Sequence, residues 1–147
     1  MRIDTVIIML VALLCATNAR SENLLPYKAD GITYKLNAKK GNAVLASYDA
    51  YAKSLLSCAP LSTRYINPLN ERLSSFKVKN GGQLGCIVEV NRNESWFYKC
   101  YLSLSVRESL SKELTQRIAN KDVFGDFIEL EKEIYFNKDI CAEASLK

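Results

Sequence analysis

"LSSFKVKNGGQLGCIVEVNRNESWFYKCYL", residues 73–102, holds two places where a strand can turn back on itself, and the length of each turn decides which side chains share a face. Side chains on a strand alternate, so a slip of one residue moves a whole apolar set to the other side of the sheet. With Asn80-Gly81 alone as the first loop, Val78 would face Gln83 and Phe76 would face Gly85, apolar against polar or against nothing. A three-residue loop, Asn80-Gly81-Gly82, with one glycine left-handed, instead pairs Val78 with Leu84 and Phe76 with Cys86. At the second turn, setting Cys86 opposite Cys100 pairs Val88 with Tyr98 and Val90 with Trp96, and leaves Asn91 to Ser95 as a protruding polar loop. One face then carries Phe76, Val78, Leu84, Cys86, Val88, Val90, Trp96, Tyr98, Cys100 and Leu102, and the other Lys77, Lys79, Glu89 and Lys99. This is the pattern of a three-stranded antiparallel meander with helices on one side and water on the other.

The flanking sequence supplies those helices. Between Ala43 and Ser57, Val44, Tyr48, Tyr51 and Leu55 recur at spacings of three and four, with Cys58 next on the stripe, Asn42 as the expected N-cap and Pro60 as the stop. Tyr48 and Tyr51 are therefore expected in the core. Ser105 and Glu108 have the spacing of a capping box, and Val106, Leu110, Leu114 and Ile118 follow at every fourth position to Asn120. Before the first helix, residues 20–31 read as an exposed lead-in, 32–38 as a short edge strand and "KKGN" as a turn. After the second, "FIELEKEIYF" (127–136) alternates well enough to be read as a strand, although its Leu/Glu/Lys content also favours a helix.

Residues 1–19 have an apolar run from Val6 to Ala16, too short to span a bilayer, and small residues before Ala19. They read as a secretory signal peptide, leaving residues 20–147 as one globular domain with no stable membrane insertion. Its removal takes Cys15 away and leaves Cys58, Cys86, Cys100 and Cys141, an even set that in an exported chain reads as two disulfides. Three pairings are open. The register above favours Cys86 with Cys100, and hence Cys58 with Cys141. No metal is expected, since the four cysteines include no C-x-x-C pair and the chain has no histidine.

The lack of histidine also excludes Ser-His-Asp and Cys-His hydrolases and histidine-based nucleases. Carboxylate chemistry survives that exclusion, with Glu129, Glu131 and Glu133 as candidates. As a strand they share one face and as a helix they spread around it; neither arrangement is expected to bury one carboxylate in an apolar pocket, so no catalytic role follows. No cofactor is implied.

The net charge is +4, with 12 basic and 6 acidic residues from Arg20 to Cys100 against 7 and 9 from Tyr101 onward. The plain reading is a solvated surface, because the charges are spaced out; the functional reading is an anionic envelope polymer or an acidic protein as partner, with no nucleic acid expected. Arg92, Asn93, Phe97 and Tyr101 mark the possible binding surface: Asn93 begins an Asn-Glu-Ser glycosylation sequon at the loop, and Phe97 and Tyr101 fall on the outer face.

The series "LLSCAP" (55–60), "VKNGGQLGCIVE" (78–89), a strand ending in Cys100, an amphipathic helix and a late cysteine resembles small exported bacterial proteins of uncharacterised, cysteine-containing families. The resemblance implies a periplasmic or secreted setting and no activity. The expectation is an α+β domain: an N-terminal helix packed on a three-stranded antiparallel meander, then a second amphipathic helix and a C-terminal tail, stapled by disulfides. Its expected function is non-enzymatic binding in the cell envelope. Inhibition of a secreted hydrolase, through the Asn91 to Ser95 loop, and a histidine-free carboxylate hydrolase are the alternatives.

Overall fold

The computed structural model describes residues 23–123 and 127–143, so the expected signal peptide lies outside the described residues. A hairpin of β1 (Leu24–Ala29) and β2 (Ile32–Asn37) runs directly into α1 (Ala38–Ser57). There follow β3 (Leu61–Ile66), β4 (Leu73–Asn80), β5 (Cys86–Arg92), β6 (Trp96–Leu102), α2 (Leu104–Ala119), α3 (Glu129–Tyr135) and β7 (Cys141–Glu143). Strands β3 to β7 form one antiparallel sheet in sequence order, and β1 and β2 pair separately. The expected meander is thus the middle of a larger sheet. Among the described residues no helix is long and apolar enough to cross a membrane.

Both inner turns differ from expectation, the first by four residues of register and the second by two. Asn80 pairs with Cys86, Val78 with Val88 and Phe76 with Val90, so the first loop is Gly81 to Gly85. A short 3-10 turn at Gly82–Leu84 fills it, with Gly82 and Gly85 both at positive φ, and it carries Leu84 to the exposed tip. Two glycines free to adopt the left-handed region make this longer loop accessible, and the Asn80 side chain accepts the Gly82 N–H to close it. In the second turn Arg92 pairs with Trp96, leaving a three-residue loop, Asn93 to Ser95, in place of five. Because each shift is even, Phe76, Val78, Cys86, Val88, Val90, Cys100 and Leu102 remain on the inner face and are buried as expected.

The register shift overturns the favoured disulfide pairing. Cys86 stands opposite Leu102, and Cys100 opposite Val88 on one side and Cys141 on the other. Cys100 bonds Cys141 across β6 and β7, and Cys86 bonds Cys58 at the left-handed C-cap of α1, with Cα separations of 4.0 and 5.6 Å.

Helix α1 begins earlier than expected. Asn37, not Asn42, caps it, its side chain accepting from the Lys39 and Lys40 N–H groups, and Gly41 is an interior helical residue. Gly41 is needed for its lack of a side chain: a Cβ there would lie 2.3 Å from the Tyr27 ring. That ring is pinned by its hydroxyl, which donates to Ala38 O and to Asn42 Oδ1. Gly41→Ala should therefore destabilise the domain by about 1–2 kcal/mol, overpacking outweighing the ~1 kcal/mol that alanine gains in helix propensity. Urea unfolding checks the sign; a more stable variant would show that Tyr27 is not fixed.

Tyr51 stacks on Phe76 with centroids 4.2 Å apart, and Tyr48 meets Tyr65 edge-on at 5.5 Å, so α1 lies across the inner face near β3 and β4. Both tyrosines are buried, as expected. Helix α2 packs on α1: Ser111 Oγ donates to Ala52 O, and Arg107 donates to Leu55 O at α1's C-terminal end. It starts at Ser103, whose hydroxyl accepts the Val106 N–H, rather than at Ser105. The tail is the clearest correction: residues 129–135 are helical, not a strand, and only Cys141–Glu143 joins the sheet.

Candidate functional site

Burial along β5 alternates strictly from Cys86 to Arg92, so Arg92 follows Val88 and Val90 inward and is fully buried. It is not part of a binding surface. Its guanidinium donates to Glu131 Oε1 at 2.5 Å, to Tyr65 OH at 3.2 Å and to Tyr48 OH at 3.5 Å, and lies over the rings of Phe76 and Phe127. Glu131, also fully buried, accepts the Ile128 N–H with its second oxygen. One carboxylate is therefore isolated in the core, contrary to the sequence expectation.

Burial pushes the Glu131 carboxyl above its ordinary range, against the pull of the adjacent Arg92 guanidinium. Burial is also the largest influence on Arg92 and works against its charge, but Glu131 together with Tyr65, Tyr48 and Tyr135 outweighs it and holds the guanidinium protonated. Tyr48, Tyr51 and Tyr135 are raised first by the same burial. A raised carboxyl beside buried hydroxyls resembles an acid catalyst, but Glu131 has no exposed surface through which a substrate could reach it. Its work is to fasten α3 to the sheet. Among the described residues no three His, Cys, Asp or Glu side chains are placed to hold a metal ion.

Asn93 is tied down as well. Its Oδ1 accepts from Asn67 Nδ2 at 3.0 Å, its N–H donates to Ser74 Oγ, and Arg72 donates to Ser95 Oγ. The sequon loop is bonded to the β3–β4 connection, with Glu94 and Ser95 exposed at its tip. Trp96, expected in the core, is 43% exposed: it points to the inner side but stands at the sheet's end, against the rings of Phe127 and Phe136.

Phe97 and Tyr101 do lie on the outer face, and the strand register gathers others around them. One row runs Lys79, Ile87, Tyr101, the next Ser62, Lys77, Glu89, Lys99, Ala142, and a third Arg64, Ser75, Asn91, Phe97. Glu89 bonds Lys79 at 2.8 Å and lies 3.9 Å from Lys77, and the hydrogen bond from Lys79 holds its carboxyl below the usual range. Lys99 sits over the Tyr101 ring at 6.0 Å. Among the described residues four cations, Lys77, Lys79, Lys99 and Arg64, thus share this face with one carboxylate, beside two aromatic rings. Ser75, Lys77, Glu89, Asn91, Phe97 and Lys99 line a shallow depression of about 360 Å³ on it. The helices pack on the opposite side.

No family model, no curated protein and no solved structure matches the chain.

Proposed function

We propose that this is an exported, non-catalytic binding protein, periplasmic or secreted, whose outer sheet face takes an anionic partner such as an envelope polymer or an acidic protein. The observation that carries the reading is the cross-strand array of Lys77, Lys79, Lys99 and Arg64 around one glutamate, flanked by Phe97 and Tyr101. Cations supply long-range attraction and the rings supply area that is inexpensive to order. Two disulfides in the described residues are compatible with an oxidising compartment. The inhibitor reading has the weaker support, since Asn93 and Ser95 of its loop are bonded to Asn67 and Arg72. The carboxylate-hydrolase reading rested on the glutamates of 129–133, of which the buried one is sealed by Arg92.

The test is binding of the oxidised chain to an immobilised polyanion and to its own envelope extract. Lys77→Glu with Lys99→Glu should weaken polyanion binding by about tenfold or more, and the wild-type interaction should weaken as salt rises. The same pair, and Phe97→Ala with Tyr101→Ala, should release whatever the wild type captures from the extract. Retention unchanged by all four substitutions would overturn the reading.

A further inference from the structure

A second surface, which shares Arg64 with the outer face, lies along the sheet's free edge. Among the described residues β3 has one strand neighbour, β4, so its other edge is unpaired over six residues. The opposite edge is closed by β7, which is only three residues long. Protein edges are commonly blunted by charges, proline, bulges or short strands; β3 has one charge, Arg64, and no proline or bulge over its six residues. Beside it runs a groove of about 770 Å³, lined on one side by Arg64, Tyr65 and Ile66 and on the other by Lys39, Lys40 and Ala43. The groove borders the Arg64 to Ile66 half of β3, where the strand's unpaired side faces the first turns of α1.

The groove's chemistry selects its occupant. Lys39, Lys40 and Arg64 line it, and Ala43, Ile66 and Leu73 provide apolar contact. The first N–H groups of α1 are already taken, Ala38 by Asn23 O and Lys39 and Lys40 by the Asn37 side chain, so the positive charge comes from side chains. Glu71 bonds Lys40 at the mouth in an exposed pair, of the kind that contributes little and that an incoming carboxylate can replace. A second copy of the chain would oppose one cationic edge to another, which cross-strand pairing disfavours. We infer that the β3 edge docks an acidic, extended segment of another protein as an added strand, with backbone bonds along β3 and its carboxylates on Lys39, Lys40 and Arg64.

A blocked hexapeptide alternating glutamate and valine is the probe, titrated into the oxidised, isotope-labelled chain and followed by amide NMR. Shifts should concentrate at Lys39, Lys40 and Arg64 to Ile66, with slowed exchange of alternate β3 amides. Arg64→Glu and Lys39→Glu, both at exposed positions, should each weaken binding by about tenfold, as should N-methylation of alternate peptide residues. Lys77→Glu with Lys99→Glu should leave it unchanged, which separates this site from the outer face. The inference is overturned by equal binding of a lysine-valine peptide or of the N-methylated peptide, by shifts confined to the Lys77/Lys99 face, or by dimerisation of the chain through β3.

Discussion

Glu131→Leu is expected to cost the folded protein about 3–5 kcal/mol, and Glu131→Leu combined with Arg92→Met to recover most of that loss. The argument rests on asymmetry within a fully buried pair. Without Glu131, the Arg92 guanidinium keeps its charge in the core and loses its carboxylate partner, beside the Tyr48 and Tyr65 hydroxyls and the Phe76 and Phe127 rings. Arginine does not shed its proton in proteins, so the whole desolvation penalty remains. Without Arg92, by contrast, Glu131 can take up a proton, a change that burial already favours. Arg92→Met should therefore cost less than Glu131→Leu. The double variant leaves apolar groups of similar volume, and Tyr48 still has Val123 O to receive its hydroxyl proton. Urea unfolding of the four proteins gives the cycle; a double variant no better than Glu131→Leu alone would mean that packing, not the unpaired charge, sets the cost.

The same pair has a defined pH signature. A carboxyl whose folded pKa lies above its unfolded value contributes most below the unfolded value, and that contribution is lost as pH rises through the folded one. Glu131 is such a group, so acidification into the ordinary carboxylate range should not unfold the protein through this pair. Removing Arg92 takes away the lowering influence on Glu131 and widens the window. Arg92→Met should then be more stable at pH 5 than at pH 8, by a larger margin than the wild type. A flat profile for the variant would show that Glu131 remains ionised without its partner.

The inner face of the sheet was legible because it depends on parity alone: registers shifted by four and by two leave Phe76, Val88 and Cys100 on the same side. The pairings were not legible, because both turns had more than one workable length, and with them went the disulfides. The same parity placed Arg92 inward, one step beyond Val90; its charge argued for the surface, and its partner lies 39 residues away on another element. Glu131 carried a matching signal. Read as a helix, 127–136 sets it three or four residues from Phe127, Ile128, Ile134 and Tyr135, in the middle of an apolar stripe. Gly41 looked like a turn because nothing local distinguishes a helical glycine from a loop one; the Tyr27 ring, fourteen residues earlier, makes the difference. Of the candidate surface, Phe97 and Tyr101 were placed correctly because an outward position on a strand needs only the alternation. The β3 edge was not foreseen, since an edge is a property of the assembled sheet.

Replacing either disulfide by a pair of alanines is expected to remove about 4 kcal/mol, the chain-entropy value for loops spanning 28 and 41 residues. Nonreducing peptide mapping should return Cys58 with Cys86 and Cys100 with Cys141 before that comparison is made. The two losses should differ in their coupling to the core. Cys58–Cys86 joins the end of α1 to the start of β5, elements of twenty and seven residues that also meet through β3 and β4. Cys100–Cys141 holds β7 and α3, three and seven residues long, and both are too short to persist without tertiary support. Besides that bridge, α3 is held by the bond of Glu131 to Arg92 and by the contact of the Tyr135 and Tyr51 hydroxyls. Once Cys100 and Cys141 are alanines, part of the population should already have released α3 and let water reach Arg92. Adding Glu131→Leu should then cost less than it does in the disulfide-bonded protein, by more than about 0.5 kcal/mol. The same substitution in a Cys58→Ala, Cys86→Ala background should cost its full amount. Additivity in both backgrounds would show that the bridge and the ion pair hold α3 independently.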